Sequence, residues 1–485
     1  FQVSSGGTAT LSGVTVKDYI NNSGTLNMEG GSIDNYITSS GVLNMSGVVS
    51  TSYIEAKGAT TLDGVTCTTL RVDSDADVST GEGGVTLTGE EAIRLQNFSG
   101  NVATLLNSFA WSTEAEGAYV GITGTLGDST FTALPETLAG GYKVQLNSDV
   151  TIASGKTVTL EEGVCWQMLK TTSYYQYLNV SGTLVVDNET VADALVSVSG
   201  APCLRINNGG KVQLANANVT GFYYISTQSG GTFEMTGGTL DSVNDFQVSS
   251  GGTATLSGVT VKDNITASGA LVLEDCAFTG NTVQVNNTAT VSIVNTSGIK
   301  TLTIDGRATV TEISGNDFSG TTLQLNTLSA DNKIDLSGNY WGEGVTREEI
   351  IAKIKGYNAD CVILDNWMVG LPDAEFAARS LVGDTLASAG TRSMTVKFSH
   401  VVDESTIAGN IYLENLMGDR VEITGWSQAN GELTLQFDAM PADGLYHVVL
   451  GAGLKNEYGK SLTLPEGSGD CRLDFLADVT AQRVQ

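Results

Sequence analysis

At 485 residues the chain exceeds the usual single-domain length, but a fold of stacked repeats absorbs such length because each repeat buries surface only against its neighbours. Apolar residues at 41% with only 16% charged residues exclude a disordered polyelectrolyte. The formal charge of −29 argues against nucleic acid or an anionic membrane as partner, since both need clustered Lys and Arg, and no apolar run is long enough for membrane insertion within this segment.

The first element is a repeat. FQVSSGGTATLSGVTVKD at Phe1–Asp18 recurs letter for letter at Phe246–Asp263, and Phe1 opens inside a repeat, so a piece of a longer chain is expected. A finer period of 17 aligns Gly7, Gly24, Gly41 and Gly58, then Gly13, Gly30, Gly47 and Gly64. It also aligns Val3, Ile20, Ile37 and Ile54; Leu11, Met28, Met45 and Leu62; and Tyr19, Tyr36 and Tyr53. Between the glycines, apolar and polar residues alternate, which is the period of a strand. Two glycines per repeat exclude a helical unit. Each repeat therefore reads as two or three short strands with glycine at corners that need φ > 0 or close backbone approach. Stacked in parallel, such repeats put identical side chains over one another about 4.8 Å apart.

These rungs are expected over 1–98, followed by an irregular boundary at 99–141 that contains Pro135. A second section of rungs is expected over 142–345. Within the first section, Asp73, Asp75 and Asp77 in VDSDADV would share one face if they lay on one strand, and their spacing is that of the start of a calcium loop. Val78 stands where that loop needs glycine and Gly84 where it needs glutamate, so a solvated acidic face is the favoured reading and Ca2+ the other. No further cofactor is expected. Tyr19, Tyr36 and Tyr53, with Tyr174, Tyr175, Tyr177, Tyr223 and Tyr224 elsewhere, could form an aromatic strip for stacking on a glycan, the last five being its candidate residues, while ordinary ladder packing is the favoured reading for all of them.

Asn339, Tyr340, Trp341 and Gly342 end the rungs, and Thr346 with Glu349 forms a capping box ahead of Ile350, Ile351 and Ile354. A capping helix and linker are expected over 346–372, covering the open edge of the stack. From 373 to 485 the rungs give way to strand patterns at Met394–Asp403, Leu433–Phe437 and Tyr446–Leu450. The six cysteines lie far apart; Cys67 and Cys276 fall at apolar repeat positions and read as core residues. The two histidines, His400 and His447, lie outside the rungs and read as exposed strand residues.

The NYWG tetrapeptide followed by a short helix resembles the C-terminal closure of bacterial right-handed parallel β-helix surface proteins of the autotransporter-passenger and adhesin type. The segment with Phe398-Ser399, Tyr446-x-Val448-x-Leu450 and Asn456-x-x-Gly459-Lys460 is similar to bacterial Ig-like domains. These resemblances imply an all-β protein: a right-handed parallel β-helix (β-solenoid) in two sections followed by a small Ig-like β-sandwich. They imply an extracellular or cell-surface location, with a host or microbial surface protein or a glycan as partner. The rungs contain no histidine, and the outward row Ser12, Glu29, Ser46, Asp63 keeps its acids two rungs apart, so no catalytic residue is expected. A non-catalytic stalk or adhesin segment is the leading reading; the alternatives are a carbohydrate-binding β-helix and a polysaccharide lyase or glycosidase.

Overall fold

The computed structural model describes all residues except 75, 133–142, 170–174, 200–201, 243, 327–332, 357–360, 384 and 480–485. The chain divides into two compact units, Phe1–Thr311 and Glu312–Gln485, so the second section of rungs is shared between them.

In the first unit, residues 17 apart stack. Strand Thr8–Ser12 pairs in parallel with Thr25–Glu29, which pairs with Val42–Ser46, which pairs with Ala59–Asp63. Leu11 thus lies on Met28, Met28 on Met45 and Met45 on Leu62, and all but the first are buried. Outward residues stack too: Asn44 Nδ2 donates to Asn27 Oδ1 at 2.8 Å. Two further rows flank this one. The first runs through Gln2–Val3, Ile20–Asn22, Ile37–Ser39 and Ile54–Ala56, and the third through Thr15–Val16, Ser32–Ile33, Val49–Ser50 and Val65–Cys67. Cys67 and Cys276 sit in the core as expected, and burial pushes the Cys67 thiol up to about 12. All six cysteines are free.

The glycine rows separate into the two causes. A Cβ on Gly24, Gly41 or Gly58 would lie 2.1–2.5 Å from the carbonyl oxygen of the glycine one coil below, so these positions need close approach. Gly13, Gly30, Gly47 and Gly64 have φ of +60° to +63° instead, with open space where a side chain would go.

Parallel pairing runs on through the described part of 99–141. Ile20, Ile37, Ile54, Leu70, Ile93, Val120, Val144, Trp166, Leu195, Val219, Leu240 and Val261 form one column of successive strand partners, each almost fully buried. What changes at 99–141 is the assignment of rows. A short helix, α1 (Val102–Asn107), is inserted after Gly100–Asn101, and a new row opens where Gly124–Leu126 pairs with Val150–Ile152. That row continues through Gln176–Val180, Pro202–Ile206, Tyr224–Thr227 and Asp245–Val248. As a result the duplicated block occupies different rows in its two copies: Gln2–Val3 belongs to the first row, whereas Gln247–Val248 belongs to the new one and Val261 to the first.

The same letters therefore meet different surroundings. Asp18 is exposed, but Asp263 is 1% exposed, with Leu240 and Asp245 pairing beneath Val261 and Asn264 on either side of it. One Asp263 oxygen accepts from Ser242 N, and the other is buried without a partner. Burial, reinforced by Asp241 and Asp245, pushes this carboxyl up to about 6 despite the Ser242 hydrogen bonds. The folded state then holds its proton to higher pH than the unfolded chain, so the contribution of Asp263 to stability is most favourable below about pH 4, falls as pH rises to about 6, and levels off above. Asp263→Asn is expected to remove this loss, gaining at most about 3 kcal/mol over the native chain at pH 8 and nothing at pH 4. Thermal melts at the two pH values check it; equal melting curves at pH 8 would contradict it.

In the second unit, the strand Thr322–Asn326 pairs with Ile354–Lys355, and Ile334–Asp335 with Val362–Ile363, so the segment expected as linker adds strands to the last coils. Between them lies helix α2 (Arg347–Lys353). Thr346 Oγ1 accepts from Glu349 N while Glu349 Oε2 accepts from Thr346 N, which completes the expected capping box. Those bonds hold the Glu349 carboxyl below its ordinary range. Ile350 is buried, and Lys353 Nζ donates to the carbonyls of Trp341 and Ser319 at 2.6 and 2.9 Å.

The described residues from 373 onward form two facing sheets. One orders Ala378–Val382, Ser393–Phe398, Glu432–Phe437 and Ile423–Ala429, all antiparallel. The other orders Leu386–Ser388, Asp470–Asp478, Gly444–Gly451, Ile411–Asn415 and Arg420–Val421, with its first pair parallel. Val396, Leu433 and Leu435 from one sheet share a core with Leu413, Tyr446, Val448 and Phe475 from the other. His400 corrects the sequence expectation: it is fully buried, its Nδ1 2.9 Å from Ser399 Oγ and its Nε2 donating to the Leu371 carbonyl at 2.8 Å. His447 is partly buried, with Nδ1 2.7 Å from Asp474 Oδ1.

Candidate binding site

The parallel rows bring four of the five candidate tyrosines together; the fifth, Tyr174, lies outside the described residues. Tyr177 pairs with Cys203 and Cys203 with Tyr224, so these three occupy one outward position on successive coils. Tyr175 and Tyr223 precede the same strands at the corner. Their ring centroids are 5.2 Å apart and tilted by 35°, and Tyr175 lies 6.4 Å from Tyr177 and 6.3 Å from Tyr224. The guanidinium of Arg205 lies 4.2 Å from the centre of the Tyr177 ring and donates to the Tyr224 hydroxyl at 3.3 Å. Cys203 is sealed beneath these rings, and burial raises its thiol. Burial, with the Tyr177 hydrogen bond behind it, pushes the Tyr224 hydroxyl up to about 12, so it stays a neutral donor and acceptor. Tyr175 is 48% exposed. A ring of that exposure beside a fixed cation can take the apolar face of a sugar while Arg205 and the tyrosine hydroxyls bind its oxygens.

The ladder of Tyr19, Tyr36 and Tyr53 differs. Its rings stack face to face at 5.5 and 4.9 Å, with interplanar angles of 11° and 3°, and Arg71 covers the outer face of Tyr53 at 3.4 Å. The faces of Tyr36 and Tyr53 are thus occupied, which is the packing role.

The acidic triplet is not one strand face. Asp73 ends the strand Leu70–Asp73 and Asp77 opens Asp77–Thr80, with a turn between them in which Asp73 Oδ1 accepts from Ser74 N at 2.8 Å. Asp75 lies outside the described residues. Period-two reasoning fails here because the turn breaks the alternation it assumes. Among the described residues no group of three His, Cys, Asp or Glu side chains is placed to hold a metal ion.

Sequence reasoning missed a shallow, open groove of about 250 Å³ lined by Val185, Asp187, Gln213, Ala215, Glu234 and Thr236. Lys211 Nζ and Gln213 Nε2 both donate to Glu234 Oε2 at 3.0 Å, and Asp187 lies two coils away along the row. No period flags it, since each coil contributes a different residue.

The continuous parallel rows define the class: this is an all-β parallel β-helix. No protein-family model and no curated protein matches the chain.

Proposed function

We propose that the chain is a non-catalytic bacterial stalk or adhesin segment, extracellular or on the cell surface, whose C-terminal sandwich is an Ig-like module and which meets a surface protein or a glycan. The observation that supports this reading is the register. Similar coils place like outward groups over one another, as Asn27 under Asn44 and Thr8 under Thr25, so duplication enlarges a repeating surface without requiring new chemistry. Beads coated with the protein are expected to adhere to a bacterial or host surface while releasing no sugar. Multiple-turnover cleavage of any member of a polysaccharide panel would contradict the reading.

Carbohydrate binding is the second reading, and the Tyr175 cluster favours it. A glycan array probed with the native chain is expected to give a defined set of hits, weakened about threefold to tenfold by Tyr175→Ala, the range expected for a lost aromatic contact. A silent array would contradict it.

A further inference from the structure

The repeat contains a second tyrosine–arginine pair at the equivalent position. Tyr53 immediately precedes the buried Ile54, as Tyr177 precedes Leu178, and on the next coil Arg71 and Arg205 each stack over the tyrosine below. The two sites differ in what lies above. Arg205 finds the Tyr224 hydroxyl on the following coil, but the counterpart above Arg71 is Ala92, the residue before Ile93, which offers no acceptor.

Arg71 consequently forms no hydrogen bond or ion pair among the described residues, although Glu55 is its strand partner on the coil below and Glu55 and Glu91 both act on its charge. Its neighbour on the next strand is another arginine, Arg94. Arg94 is neutralised by both oxygens of Glu91. Glu55 is engaged as well: Thr38 Oγ1 donates to Oε2 at 2.8 Å, while Lys57 at 3.3 Å and Gln96 at 3.4 Å share Oε1. Nε of Arg71 is buried with no partner. Burial first, and Arg94 second, push this guanidinium below its ordinary range, against the opposing pull of Tyr53, Glu91 and Glu55. In a chain of net charge −29, a cluster of Lys57, Arg71 and Arg94 against Glu55 and Glu91 is locally positive, and screening confines its field to about 8 Å.

We propose that Arg71, held flat on Tyr53, binds the carboxylate of an acidic sugar. A planar guanidinium matches a carboxylate through paired N–H donors, and the hydroxyl of Tyr53 beneath it is a group that binds sugar hydroxyls. The site shares with the glycan reading above only the class of ligand, and it uses none of the Tyr175 cluster.

Titration calorimetry with a tetramer of glucuronic acid, its carboxyl-reduced neutral counterpart and inorganic sulfate tests this. The acidic tetramer is expected to bind and the neutral one not to, with affinity falling at least tenfold in Arg71→Met, several-fold in Arg71→Lys, and not at all in Tyr175→Ala. Arg71→Lys retains the charge and serves if Arg71→Met does not fold. No binding of the acidic tetramer, or equal binding by native chain and Arg71→Met, overturns the proposal. Sulfate binding without preference for the sugar also overturns it, leaving a bare oxyanion site. Loss of binding in Tyr175→Ala alone would overturn it while sustaining the glycan reading of the other cluster.

Discussion

Gly41→Val is expected to lower stability by about 3 kcal/mol or more, the upper end of what overpacking costs. The nearest atoms to its new Cβ would be Gly24 O at 2.1 Å and Ser23 C at 2.8 Å, both main-chain atoms, with no flexible side chain to move aside. Relief requires two coils to separate, and that breaks the bond from Val42 N to Gly24 O at 2.8 Å. Gly47→Asn serves as the contrast. Gly47 has φ of +60° and open space, and the corresponding corner in later coils is filled by Asp275 at φ +52° and Asn295 at φ +50°. Asparagine there is expected to cost less than about 1 kcal/mol. Thermal melts followed by circular dichroism compare the two; equal effects would mean that the two glycine rows have one cause, not two.

Trp341→Ala is expected to cost about 3–5 kcal/mol, the range for a large aromatic deleted from a core. Trp341 is fully buried, edge-on to Phe318 at 5.2 Å, and its carbonyl accepts from Lys353 at the end of α2, so the cavity would open beside Phe318. Trp341→Phe separates packing from polarity. The indole Nε1 is buried without an acceptor, so phenylalanine loses volume but also removes a stranded donor, and its cost is expected to be well below that of alanine. Denaturant melts of both variants decide; a phenylalanine variant as unstable as the alanine one would contradict this account of the site.

The stack was legible because its evidence is local. A single coil fixes the period, and like residues at that period must meet if coils pair in parallel: Leu11 on Met28 on Met45 needed no knowledge of the rest of the chain. The capping box at Thr346 and Glu349 was legible for the same reason. Row assignment was not. Gln2 and Gln247 belong to identical strings, and nothing within eighteen letters records that a new row opened at Gly124–Leu126 between the copies. Burial that depends on a neighbouring coil was hidden likewise, which is why Asp263 and Asp18 differ. His400 was misread because alternation assigns a face, whereas its burial comes from the segment at Leu371 packing over it. The tyrosine cluster was half legible: the ring count was visible, but Arg205 and Cys203 joined it only through pairing across more than 20 residues.

Cysteine cross-linking across the coils tests the register most directly. Asn27, Asn44 and Thr61 are successive outward partners on one row, so Asn27→Cys with Asn44→Cys spans one coil, about 4.8 Å, while Asn27→Cys with Thr61→Cys spans two. Disulfides form readily only when the Cα atoms lie within about 7 Å. Mild oxidation followed by peptide mapping is expected to give the first link in high yield and the second hardly at all. Equal yields, or a preference for the two-coil pair, would show that residues seventeen apart are not neighbours.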